Sequence, residues 1–195
     1  MRYAFIDKCE YTNGEGIGVS LFVQGCRFRC KNCFNPETWD FDGGKEFTYE
    51  TEKFLYKCIN KPYIDRVTIL GGEPLCDENV GHVNFLIRSI RDHFPEKKIW
   101  LYTGYTFDEI FSEWIKEDIG FKPRNRSLYD RFETIFCADT VVEGRFEEDK
   151  VDTYNEKIIW AGSYNQRVID IKEMKQNIFE HLQDNKFFCR KQGEG

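Results

Sequence analysis

Cys26, Cys30 and Cys33 stand in a C-x3-C-x2-C array directly after the apolar run Val19 to Gly25. Three thiolates are one short of a closed structural zinc site, and a centre with an open position is built for chemistry. A cubane iron–sulfur cluster normally takes four cysteines, so three leave one iron free for a small molecule. The alternative is a zinc knuckle completed by a remote ligand such as Cys9 or His82, although no second C-x2-C pair is present to support it. A second chemical segment, Gly71-Gly72-Glu73-Pro74, ends another apolar run. Glycines there admit backbone conformations closed to other residues and let a ligand lie against the main chain. Glu73 offers a carboxylate suited to an ammonium group, and Pro74 fixes the exit of the turn.

Something must bring these segments together, and the hydrophobic patterning supplies it. β-rich runs at 18–24, 66–70, 98–102, 134–142 and 157–160 read as about five mainly parallel strands. Between them, helical periodicity is expected over 49–60, 79–94, from Thr106 onward, and over about 171–184. Thr106 and Glu109 have capping-box spacing, with Phe107, Ile110, Phe111, Trp114 and Ile115 as the buried stripe of that helix. Alternating strands and helices imply a parallel sheet, whose ligands gather at the carboxyl ends of its strands. The cysteine loop, Gly71 to Pro74, and Thr103 to Tyr105 each follow one of these strands, so all three are expected on one rim.

The bulk numbers narrow the class. With 195 residues, the chain is expected to form one domain, 1–195, with a sizeable core. No membrane-spanning stretch or signal pattern is read, so a cytoplasmic protein is expected. A net charge of −6 gives no footprint for direct nucleic-acid binding, and Lys122 to Arg126 reads as a solvated basic loop. In a reducing compartment the eight cysteines are better read as ligands and core residues than as disulfides. Cys58 and Cys137 fit the core; the roles of Cys9, Cys76 and Cys189 stay open.

Taken together, the cysteine array and Gly71 to Pro74 resemble the radical S-adenosylmethionine (SAM) enzymes. More narrowly, the chain resembles the activating proteins of anaerobic ribonucleoside-triphosphate reductase. That likeness runs through Asn13 to Gly16, Leu21 to Cys26, Cys33 to Asp40 with Gly43-Gly44, Ile99 to Phe107, Asp139 to Gly144 and Gly162 to Asp170. It implies an open, partial TIM-like (β/α) barrel and a 4Fe–4S cluster held by Cys26, Cys30 and Cys33. The implied activity is reductive cleavage of SAM to a 5′-deoxyadenosyl radical, which takes hydrogen from a glycine of the reductase. An electron donor such as flavodoxin is implied as a second partner. Carried onto this chain, the SAM-binding positions are Asn32, Cys33, Phe34, Gly71, Gly72, Glu73, Thr103, Glu143 and Arg145. Relatives often carry an aromatic residue where this chain has Asn32, and an arginine where it has Gly18. The short family resembling 7-carboxy-7-deazaguanine synthase is a second possibility, opposed by the Asn35-Pro36-x-x-Trp39 continuation.

Overall fold

The structure is a computed structural model and describes residues 1–116, 125–151 and 160–177. One seven-stranded sheet organises it, in the order β3-β1-β2-β4-β5-β6-β7. The strands are β1 (Arg2–Glu10), β2 (Gly18–Val23), β3 (Lys45–Glu46), β4 (Arg66–Gly71), β5 (Lys98–Thr103), β6 (Thr140–Glu143) and β7 (Arg167–Asp170). Four of them, β2, β4, β5 and β6, run parallel. β1 and β3 extend one side antiparallel, and β7 the other. The sheet is not closed, because β3 and β7 form its two edges.

The crossovers carry α1 (Tyr49–Ile59), α2 (Asp77–His93), α3 (Phe107–Lys116) and α4 (Arg126–Cys137). Side chains alternate across a strand, so one face gives Leu21, Val23, Val67, Ile69, Ile99, Leu101 and Val141 to the core shared with the helices. Leu55, Ile59, Val83, Ile87 and Ile90 of α1 and α2 meet them there. Burying each such side chain contributes about 1.5–3 kcal/mol. The other face presents Phe22, Leu70 and Tyr102, which line a cavity at the carboxyl end of the parallel strands.

Two sequence expectations change. Thr134 to Val142 was expected as one strand, yet residues through Cys137 belong to α4, and β6 begins only at Thr140. Local β propensity at Thr134 to Phe136 yields to packing: Leu128 and Ile135, seven positions apart, bury one helical stripe, and Asn125 caps the start by accepting from the Leu128 N–H at 3.3 Å. The antiparallel strands β1, β3 and β7 also enlarge the sheet beyond five strands. The expected strand over 157–160 falls almost wholly outside the described residues. The chain is helical again over 171–177, and the rest of that expected helix lies outside them too. The capping box is present, with Thr106 N–H donating to Glu109 at 2.9 Å and Glu109 N–H donating to the Thr106 hydroxyl at 3.2 Å. Trp114 and Ile115 have no described side chains.

Beneath the cavity, Arg66 is fully buried and donates from Nη1 to Glu10 at 2.7 Å and to Thr68 at 2.6 Å. Gly18 is its register partner on β2, and a Cβ there would stand 2.1 Å from Nη1. The guanidinium of Arg66 thus fills the place that a side chain at position 18 would take. Burial raises the Glu10 pKa, but hydrogen bonds from Arg66, Ser20 and the Asn13 and Thr12 backbone outweigh it and hold the carboxyl at about 2. Its stabilising contribution is therefore complete above its ordinary 4.5 and is lost as pH falls through about 2. Replacing Arg66 by Ala leaves Glu10 buried without its counter-ion. We expect a loss of about 3–5 kcal/mol in urea unfolding at neutral pH, and an unchanged midpoint would remove the pair from the account of stability.

Candidate cluster and cofactor site

The cysteine loop leaves β2 through Gly25, whose φ of +97° favours glycine. A Cβ there would also strike the Phe41 ring at 2.2 Å. Gly25 N–H donates to Thr38 O at 2.8 Å and Cys26 N–H to Trp39 O at 3.1 Å. The stretch Asn35 to Asp40 therefore folds back as a brace under the loop. Thr38 closes it by donating to Asn35 O at 2.7 Å, and the Gln24 amide donates to Asp40 O at 2.7 Å.

Across from it, the end of β4 is fastened to the same loop. Gly72 N–H donates to Val23 O at 2.9 Å and Glu73 N–H to Gly25 O at 2.8 Å. A Cβ on residue 72 would lie 2.5 Å from Gly25 O, so Gly72 is required by the approach of two backbones. The Glu73 carboxylate turns inward. It accepts from Thr103 Oγ1 at 2.7 Å, Gly104 N–H at 2.7 Å and Leu75 N–H at 2.9 Å. Burial pushes its pKa up to about 6, against the pull of those three hydrogen bonds. Glu73 thus joins the loop after β4 to the loop after β5.

A third fastening was not anticipated. Phe28, inside the cysteine array, packs edge-on against Tyr105 with centroids 4.9 Å apart, and the Arg145 guanidinium lies 4.3 Å over its ring. Arg145 is held in turn by Glu109 at 2.8 Å. Gly104 makes room, since a Cβ there would come within 2.5 Å of the Phe28 ring. The only advance signal was an aromatic residue among three cysteines. We expect Gly104→Ala to destabilise the protein by about 1–3 kcal/mol through this overpacking. Phe28→Ala in the same background should recover part of the loss in a urea titration; purely additive losses would contradict the contact.

All three cysteines open on one cavity of about 670 Å³, together with Phe28, Phe34, Gly71, Gly72, Glu73, Thr103 and Arg145. No other cysteine among the described residues lines it. Burial pushes the Cys26 and Cys30 thiols up, so loading a metal centre must release protons. Among the described residues, no three His, Cys, Asp or Glu side chains are spaced to hold a single metal ion. A mononuclear zinc would gather its sulfurs around one point at about 2.3 Å. A four-iron cube takes one thiolate on each of its irons, and Cys26, Cys30 and Cys33 offer three thiols to one cavity. The chain's donor set fits such a cluster.

Other expected residues are placed differently. Asn32, with φ of +52°, does not line the cavity, and its amide bonds Glu148. Phe34 does line it, 4.8 Å from Phe146 between ring centroids. Glu143 is buried and takes up the Phe107 N–H and the Arg167 guanidinium, outside the cavity lining. Cys76 stands at the N-cap position of α2 without a side-chain capping bond, and burial pushes its thiol up to about 12. Cys58 is in the core, Cys9 is exposed on β1, and Cys189 lies outside the described residues.

Residues 12–169 match the family described as a 4Fe-4S single cluster domain. The chain is similar to the anaerobic ribonucleoside-triphosphate reductase-activating protein of Enterobacteria phage T4, 34% identical over 86% of this chain and 93% of that protein. Proteins of the same name from Escherichia coli (strain K12) and Pasteurella multocida (strain Pm70) are 31% and 29% identical. They cover 86% and 85% of this chain, and 97% and 95% of their own lengths.

Proposed function

Because this chain belongs to the family of anaerobic ribonucleoside-triphosphate reductase-activating proteins, we propose that it is a radical SAM activase of that reductase. The observation that carries the reading is the convergence of Cys26, Cys30 and Cys33, with no fourth cysteine among the described residues, on a cavity that also meets Gly72 and Glu73. Its volume of about 670 Å³ lies within the range of small-molecule sites.

The three cysteines would hold a 4Fe–4S cluster at the mouth of an open, partial (β/α) barrel of the radical SAM type, all within one domain, 1–195. When bound, the cluster and SAM supply a 5′-deoxyadenosyl radical able to take a hydrogen atom from a glycine of the reductase, at the expense of one electron from a donor such as flavodoxin. The chain's own residues do the rest. Gly71 and Gly72, which line the cavity, would present main-chain groups to the methionyl amine, and Glu73 with Thr103 keeps that turn in place. Phe34 offers a ring to the adenine. Arg145 holds the cysteine loop through Phe28 and would supply a cation to the carboxylate of SAM. Asn32 and Glu143 act at one remove, Asn32 by tying the loop to Glu148 and Glu143 by fixing the start of α3. A cytoplasmic setting goes with the reading; among the described residues, no helix is long and apolar enough to cross a membrane.

The test is anaerobic reconstitution with iron and sulfide, then mixing with the reductase, SAM and a reductant under electron paramagnetic resonance. A glycyl-radical signal appearing with 5′-deoxyadenosine is expected. SAM cleavage without a radical on the reductase would instead point to a small-molecule substrate.

A further inference from the structure

β1 is nine residues long, yet β3 pairs with it only at Arg2 and Tyr3. From Ala4 to Cys9, no described strand pairs with the outer edge of β1. Such an edge is a ready template for another chain, and natural proteins usually blunt or cover it. The stretch spans roughly 20 Å at about 3.4 Å per residue, enough for a six-residue partner strand.

The same strand forms part of the cavity wall. Phe5 and Asp7 both line the cavity that holds the three cysteines. Phe5 is 42% exposed although it stacks on Phe22 at 4.1 Å, so part of the ring is open to a visitor. Asp7 is exposed and makes no ion pair among the described residues, while the cavity's other charged groups, Glu73 and Arg145, are both engaged. One short strand therefore combines an edge that no described strand pairs, with only the Cys9 N–H turned to Asp7 at 3.3 Å, an apolar wall and an anion in no ion pair among the described residues.

We infer that the outer edge of β1, from Ala4 to Cys9, receives an extended segment of the partner protein as an added strand, with a basic side chain of that segment meeting Asp7. The inference deepens the activase reading and rests on it. Strand addition gives affinity through main-chain bonds and specificity through alternate side chains. In an added strand, every second residue turns toward the cavity. A glycine at such a position presents a C–H bond where any other residue would present its Cβ. Two residues along, the next inward side chain reaches the neighbourhood of Asp7, where a lysine or arginine would form a charge-assisted hydrogen bond.

Hydrogen–deuterium exchange on the cluster-loaded protein, alone and with the reductase of the same host, tests this directly. Amides within 4–9 should exchange at least about tenfold more slowly in the complex. Asp7→Lys should weaken reductase binding about tenfold or more, and Asp7→Asn less, because reversal adds repulsion to the lost attraction. Asp7 is exposed, so both variants are expected to fold. A complex that forms while exchange over 4–9 is unchanged overturns the edge and leaves the activase reading standing. Unchanged affinity in Asp7→Lys does the same. Protection of 4–9 that depends on the concentration of this chain alone assigns the edge to a second copy and overturns the inference. Failure to form any complex overturns both.

Discussion

Cys26→Ala, Cys30→Ala and Cys33→Ala should each give a folded protein that fails to hold an intact four-iron cluster and has no detectable SAM cleavage. The three thiols line one cavity, and no other described cysteine lines it to stand in for a lost ligand. Folding should survive because the loop's foundations are backbone bonds: Gly25 to Thr38, Cys26 to Trp39 and Glu73 to Gly25. Structural zinc domains behave in the opposite way, since metal binding there is the folding free energy. Iron and acid-labile sulfide analysis after anaerobic reconstitution, beside the circular dichroism of the apo-protein, separates the two cases. Cys58→Ala provides the control, because Cys58 lies on the core-facing side of α1, away from the cavity. Wild-type iron content and SAM cleavage in any of the three site variants would overturn the cluster assignment.

Glu73→Ala should cost stability as well as activity. It leaves the Thr103 hydroxyl and the Gly104 and Leu75 N–H groups without their acceptor. Buried donors deprived of partners cost about 1–3 kcal/mol each. A loss of about 2–5 kcal/mol is expected once the loop relaxes. Releasing the turn that Gly72 shares with Gly25 would also displace the rim of the cavity, and a misplacement of about 1 Å can cost on the order of 100-fold in rate. The pH behaviour gives an independent check. The Glu73 carboxyl is raised from its ordinary 4.5 to about 6, so the folded protein holds this proton more tightly than the unfolded chain. Its contribution is therefore greatest below 4.5, declines as pH rises to about 6, and is constant above that. The span amounts to about 2 kcal/mol. Glu73→Gln, which cannot ionise, should abolish that decline in urea midpoints measured across the interval. A Gln variant that kept the slope would assign the titration to another group.

The Glu10 carboxyl, held at about 2, moves with the opposite sign and in a lower window. Both acids lie beneath or beside the same cavity, but Glu10 is bonded directly by a buried arginine, whereas Glu73 is bonded only by dipoles and feels the charge of Arg131 without a contact. That difference in partners explains why one is driven down and the other up.

Much of this was legible in the residues themselves. Cys26, Cys30 and Cys33, Gly71 to Glu73, and Thr103 each follow a strand of a parallel sheet, and that rule alone brings them to one rim. The parallel strands β2, β4 and β5 announced themselves because, buried on both faces, they read as nearly continuous apolar runs. β1 and β7 did not, since both are partly exposed and carry charges. α4 was hidden because its β-prone end, Thr134 to Phe136, runs toward the true strand after only a short break. The site divided along similar lines. Residue type identifies a thiolate ligand, but the partner of a carboxylate depends on which loops meet. Glu73 and Glu143 therefore had to be located before their acceptor roles could be seen. Asn35 to Trp39 stood out only as a family signature, and it proves to be the brace beneath the cysteine loop.

The bonds that seat the cysteine loop about Gly25 join main-chain atoms alone. A cluster lost from the three thiols would therefore leave its seat standing, and the same polypeptide could be loaded again.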